Sequence, residues 1–150
     1  MPQAQRSIEI EVSPEKIFAV VQDFPRYPEF IPELKRVQVL RKSGNTQDVE
    51  FEVELALPLG IKKSIRYSLA FVADPPKTVR WHLISGEVIK GNTGSWTFRP
   101  LGENRTEAIY NIELSLGPLV PKAISSFLAE QSLPRLLSQY KARAESLGGG

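Results

Sequence analysis

Between Lys35 and Leu116 apolar side chains recur at every second position in one stretch after another, the period of strands with one buried and one wet face. Val49, Phe51, Val53, Leu55 and Leu57 alternate with Glu50, Glu52 and Glu54. Ile65, Tyr67, Leu69 and Phe71 oppose Ser64, Arg66 and Ser68. Val79, Trp81 and Leu83 flank Arg80 and His82, and Trp96 and Phe98 flank Thr97. Val37 and Val39 open the series, and Ala108, Tyr110, Ile112, Leu114 and Leu116 close it. Ser43-Gly44-Asn45, Pro58-Leu59-Gly60 and Asp74-Pro75-Pro76 punctuate the runs as turns, so the pattern predicts an antiparallel meander.

The flanks have a different rhythm. Ile8, Ile10 and Val12 predict a first strand from Ser7 to Val12. Ser13-Pro14 then reads as an N-cap followed by a first helical residue that has no N–H to lose, with Ile17, Phe18, Val20, Val21 and Phe24 as the apolar stripe. Pro25, Pro28 and Pro32 limit the next segment to a short second helix within Arg26 to Phe30. From residue 119 to 147, Val120, Ile124, Phe127, Leu128, Leu136, Leu137, Tyr140, Ala144 and Leu147 predict a long amphipathic helix, with a kink near Glu130 to Leu133 ahead of Pro134. Gly148-Gly149-Gly150 reads as a tail beyond an ordered core of about residues 7–147 in a single domain spanning 1–150.

A curved sheet with one apolar face and one long striped helix have an economical joint solution, an α+β fold in which the sheet wraps the helix. One helix covers only the middle of such a sheet. The expected consequence is a cavity lined by Phe51, Val53, Leu55, Tyr67 and Leu69 from two strands, and by Trp81, Leu83, Trp96, Phe98, Tyr110 and Ile112 from the next three. Ile124, Phe127 and Leu128 would line its helical side. Pro58 to Ile61, Ser85 to Thr93 and the start of the last helix are the expected gates.

Composition narrows the partners. Nineteen Lys and Arg against seventeen Asp and Glu give a net charge of +2, interleaved along the chain, so no nucleic-acid footprint stands out. The chain has no cysteine, which excludes disulfides and thiolate chemistry and fits a reducing compartment. With no apolar run near membrane-spanning length and a polar first stretch, the expectation is a soluble cytoplasmic protein. Lys122, Arg135, Lys141 and Arg143 on the last helix offer a basic face for transient contact with a membrane surface.

Two segments carry a family resemblance. Val20-Val21-Gln22-Asp23-Phe24-Pro25-Arg26-Tyr27-Pro28-Glu29-Phe30-Ile31-Pro32, followed by Gly94-Ser95-Trp96-Thr97-Phe98-Arg99-Pro100, resembles the polyketide cyclase/dehydrase-like branch of the START (SRPBCC) superfamily, over about Ser7 to Ala144. Within it the chain is most similar to coenzyme Q-binding and ribosome-association-toxin-type proteins. The resemblance implies a helix-grip fold with a lipid or polycyclic ligand between sheet and C-terminal helix. Quinones, isoprenoids and acyl lipids are the expected cargo, and neither a cofactor nor a metal is implied. The chain departs from the toxin relatives in reading Glu33-Leu34 where a Trp-Cys pair is expected, which places ribosome contact behind lipid binding.

Catalytic candidates are few. His82 is the sole histidine and falls on the wet face beside Trp81, which removes histidine-based metal sites and a Ser-His-Asp triad from consideration. The Glu50, Glu52, Glu54 row reads as a wet strand face balanced by Lys62 and Arg66, and Gly86, Gly91 and Gly94 lack the following helix of a phosphate loop. A cyclase or dehydratase would need an inward proton donor. Tyr67 and Tyr110 are the ones this register supplies, with Arg66 turning inward only after a one-residue slip. Binding is therefore the expected activity and no catalytic residue is assigned.

Overall fold

The computed structural model describes residues 3–56, 58–87, 89–117 and 132–148. Seven antiparallel strands form one sheet: β1 (Gln3–Ile10), β2 (Leu34–Ser43), β3 (Thr46–Ala56), β4 (Lys62–Asp74), β5 (Thr78–Gly86), β6 (Ile89–Gly102) and β7 (Arg105–Leu116). Their order is β1-β7-β6-β5-β4-β3-β2, so β2 to β7 are the expected meander and β1 pairs with the last of them. The first two strands in sequence thus lie at opposite edges. Helix α1 (Pro14–Gln22) and a 3₁₀ segment, η1 (Phe24–Glu29), carry the chain across the concave face between them. Helix α2 (Ser132–Gly148) packs on α1 and β1. This is the α+β helix-grip arrangement.

Strand β1 begins earlier than the alternation indicates and stops at Ile10, because Gln3, Ala4 and Gln5 find partners in Glu113, Ile112 and Asn111 of β7. Val12 lies outside the strand yet is 1 % exposed; its carbonyl accepts a 2.8 Å bond from the buried Thr106 hydroxyl, which fixes the turn into α1. Ser13 has the extended backbone of an N-cap, but it caps through its carbonyl, which accepts from Lys16 and Ile17 N–H, and not through its hydroxyl. The second short helix begins at Phe24, before the expected Arg26. Pro28 inside it lacks the donor an α-turn requires, which favours 3₁₀ geometry, and Pro25 fits its first turn. Pro134 lies within α2. The helical run expected over 119–131 and most of its kink fall outside the described residues.

Most of Ser85 to Thr93, the segment expected as a gate, lies in β5 and β6. Residues 89–94 are strand, and Gly94 sits in mid-β6 opposite Trp81, whose indole lies against its Cα. Strand β5 ends at Gly86 and β6 begins at Ile89. His82 is exposed, as its alternation requires. Glu52 faces Arg66 across β3 and β4 at 3.9 Å, whereas Lys62 pairs with Ala56, so Arg66 alone balances the glutamate row in the way expected.

Candidate functional site

The concave face divides into two halves. Toward the β1–α1 turn the inward side chains are sealed: Ile10, Val49, Val79 and Ala108 are fully buried, and Trp96 and Phe98 nearly so. Phe98 meets Phe18 of α1 edge-on at 6.2 Å. Trp96 is covered by Tyr140 of α2 at 5.0 Å. These rings pack with the protein itself.

A closed circuit of aromatic contacts borders that half. From Phe51 it passes to Tyr27 (6.3 Å), Tyr140 (5.5 Å) and Trp96 (5.0 Å), then to Tyr110 (4.8 Å), Trp81 (5.4 Å), Phe71 (5.8 Å) and back to Phe51 (6.1 Å). Each such pair contributes roughly 0.5–1.5 kcal/mol beyond burial, so the circuit ties η1 and α2 to five strands. Phe24 adds a contact to Phe71 at 4.4 Å.

Beyond the circuit, toward the β3–β4 and β5–β6 hairpins, Ile65 is sealed opposite Val53, but several other inward side chains are only half-buried. Val53, Tyr67, Leu83 and Ile112 all point inward by register, and none is sealed. Tyr67 stacks on Phe51 at 5.3 Å with planes 19° apart. Phe51, Leu69, Trp81 and Tyr110 are buried at the border of the two halves. Leu55 has no described side chain, and Ile124, Phe127 and Leu128 lie outside the described residues.

Polar groups in this apolar setting are few. Tyr140 donates to the Tyr27 hydroxyl, and Tyr27 donates to the carbonyl of Val21, one of the carbonyls left over at the α1 C-terminus. Burial raises the Tyr27, Tyr110 and Tyr140 phenols well above the ordinary tyrosine value. Although part of its surface is open, Tyr67 is desolvated enough to be pushed up to about 12. All four tyrosines of the chain are therefore neutral donors at physiological pH. The indole N–H of Trp81 donates to the Oδ1 of buried Asn92 at 3.0 Å.

Tyr27, Tyr140 and Asn92 are absent from the lining expected from sequence. Asn92 is inward because it pairs with Leu114 in the Gly94–Ile112 register, and a polar residue between two glycines gave no apolar signal. Tyr27 and Tyr140 meet only through tertiary packing. Among the described residues no group of three or more His, Cys, Asp or Glu is placed to hold a metal ion.

A separate groove of about 240 Å³ lies on the outside, between α1, η1 and α2. Ala19, Val20, Phe30, Ala144 and Leu147 form its walls, and Lys16, Arg26 and Arg143 stand at its rim. Asp23 and Glu29 hold Arg26, while Arg143 bonds Glu29 at 2.8 Å and covers the Phe30 ring at 5.4 Å. These ion pairs join α2 to η1.

Residues 10–141 match the family described as polyketide cyclase / dehydrase and lipid transport. The chain belongs to that family. It is 29% identical over 146 residues to the ribosome association toxin RatA of Pseudomonas aeruginosa, covering 97% of this chain and 96% of the relative. Its fold matches a START superfamily protein from Mycobacterium smegmatis with a TM-score of 0.83 and 23% identity, covering 97% and 98% of the two chains. The Zhui aromatase/cyclase from Streptomyces sp. R1128 matches with a TM-score of 0.84 at 13% identity, covering 95% and 93%. The family thus spans lipid transport and polyketide cyclisation on one fold, and the START-like helix-grip architecture is common to this chain and those structures.

Proposed function

We propose that this protein binds and carries a hydrophobic small molecule, a quinone, isoprenoid or other lipid, in the unsealed half of its concave interior. The observation that carries the reading is the half-burial of Val53, Tyr67, Leu83 and Ile112, four inward residues that the protein's own side chains leave incompletely covered. An apolar wall with a few fixed polar groups, here Asn92 and the phenols of Tyr67 and Tyr110, suits a mainly hydrocarbon ligand bearing one or two oxygens. The family's description, which includes lipid transport, points the same way. Native mass spectrometry of protein purified from cells, with extraction of bound lipophiles, is the test. Co-purifying lipophile, or a mass shift on adding quinones or fatty acids, is the expected result. Protein consistently free of such molecules and unshifted by them would refute it.

A second reading, polyketide cyclase or dehydratase, draws on the same tyrosines. Phenols held neutral can donate to a developing enolate oxygen, and the fold is shared with an aromatase/cyclase. Under that reading Tyr67→Phe and Tyr110→Phe abolish turnover of a polyketide substrate. A third, association with the ribosome, has the RatA relative in its favour and predicts co-sedimentation with ribosomal particles on a sucrose gradient.

A further inference from the structure

The hairpin joining β3 to β4 adopts an unfavourable backbone conformation and exposes apolar surface at the same place. Leu59 has φ 68 and ψ 24, the left-handed region where Gly or Asn is ordinarily found, and Gly60 follows at φ 73. Leu59 is 96% exposed and Ile61 is 54% exposed. The closing of the turn itself sets the positive φ; a leucine at this position, where Asn or Gly is the ordinary choice, leaves a large apolar side chain in water.

Among the described residues, the charges that directly follow the tip in sequence are lysines. Lys62 and Lys63 follow immediately, both exposed, and Lys90 is exposed just after the β5–β6 hairpin. That hairpin shares this end of the sheet, since Glu87 N–H bonds the carbonyl of Arg66 at 2.9 Å. None of the three lysines forms an ion pair among the described residues. Of the described carboxylates at this end, Glu52 faces Arg66, Glu54 is set back opposite Ser64, Glu87 accepts from the Arg66 N–H at 2.9 Å, and Glu113 stands exposed on β7 opposite Thr93. The basic face of α2 differs: Arg135, Lys141 and Arg143 are bound to Glu33, Glu145 and Glu29 at 2.9, 2.9 and 2.8 Å.

We infer that the β3–β4 hairpin is a membrane-docking element that inserts Leu59 and Ile61 among the acyl chains of an anionic bilayer while Lys62, Lys63 and Lys90 meet its headgroups. Apolar side chains at an extruded tip, with cations directly behind them, match the layered chemistry of that surface, hydrocarbon beneath phosphate. A polyanion such as RNA would engage the lysines and leave the leucine without a partner. The same end holds the half-buried Val53, Tyr67, Leu83 and Ile112, so docking sets the unsealed interior against the bilayer. The docking itself needs no cargo, and it is tested apart from the carrier reading.

Vesicle co-sedimentation of the full chain tests it, using phosphatidylcholine vesicles with and without phosphatidylserine. Binding is expected only with phosphatidylserine and is expected to fall as salt rises. Leu59→Asn, which suits the left-handed backbone and so preserves the fold and the melting temperature, should weaken binding at least about ten-fold. Lys62→Gln and Lys63→Gln should each weaken it about five-fold. Arg135→Gln on α2 should leave it unchanged. The inference is overturned if the parent protein binds neither vesicle, if Leu59→Asn binds as well as the parent, or if Arg135→Gln weakens binding as much as the hairpin variants do.

Discussion

A methyl group added at Gly94 would lie 2.3 Å from Cζ2 of Trp81 and 2.5 Å from the carbonyl oxygen of Asn111. The indole can lie flat against β6 only because position 94 has no side chain. That placement brings its N–H to Asn92. Gly94→Ala is expected to destabilise the protein by roughly 1–3 kcal/mol through overpacking and to shift the tryptophan emission; chemical denaturation followed by fluorescence measures both.

The hydroxyl chain from Tyr140 through Tyr27 to the Val21 carbonyl closes the end of α1. Tyr27→Phe leaves that carbonyl without its side-chain donor and Tyr140 without its acceptor, and should cost about 1–3 kcal/mol. Tyr140→Phe removes only the outer donor and should cost about 1 kcal/mol. A double-mutant cycle on urea-unfolding midpoints should show the two losses to be less than additive.

Alkali should attack this core late and all at once. Burial raises all four phenols, so each contributes stability in full below the unfolded tyrosine value near 10 and loses it as pH climbs through the folded value, about 12 for Tyr67. Phenolate absorbance should therefore appear together with loss of circular dichroism. Phenolate seen in a fully folded protein would contradict the burial described.

Filling the unsealed half should separate binding from folding. Leu83 is half-buried and points inward, so Leu83→Trp is expected to project into the space proposed for cargo at a cost of about 1 kcal/mol, the low end for an enlarged side chain. Lipophile uptake by native mass spectrometry should fall sharply while the melting temperature barely moves.

Acid should loosen α2 first. Glu145 accepts from Lys141 and from the Glu11 N–H, both at 2.9 Å, and these bonds hold its carboxyl below the usual carboxylate value. The contribution is present above the unfolded pKa and is lost as pH falls through the depressed folded one. Glu145→Gln should cost up to about 1 kcal/mol at neutral pH, and the gap to the parent protein should close in acid.

Alternation alone located β3 to β7, because in strands half exposed to water the periodicity is the burial. Strand β1 shifted by several residues since Gln3 and Gln5 take their conformation from β7 and not from their own chemistry. Which apolar residues face inward was legible for the same reason as the strands. Its polar elements were not: Asn92 faces inward by register in a segment of polar and glycine residues, and the Tyr27–Tyr140 contact joins chain positions far apart. Pro58-Leu59-Gly60 announced a turn, but the left-handed backbone of Leu59 and its exposure are consequences of how that turn closes.

Among the described strands β1 and β2 are the edges of the sheet, where unpaired backbone groups could template polymerisation; at β1 the Lys141 side chain from α2 already occupies the Glu9 carbonyl. At β2 the defence is visible. Lys35, Arg36, Arg41 and Lys42 stand exposed along it, and irregular pairing with β3 between Leu34 and Arg36 and between Val39 and Arg41 bends the strand away from a flat ribbon. Two copies approaching along β2 would bring four cations against four, a repulsion that opposes strand pairing at that edge even while the interior surface is greasy.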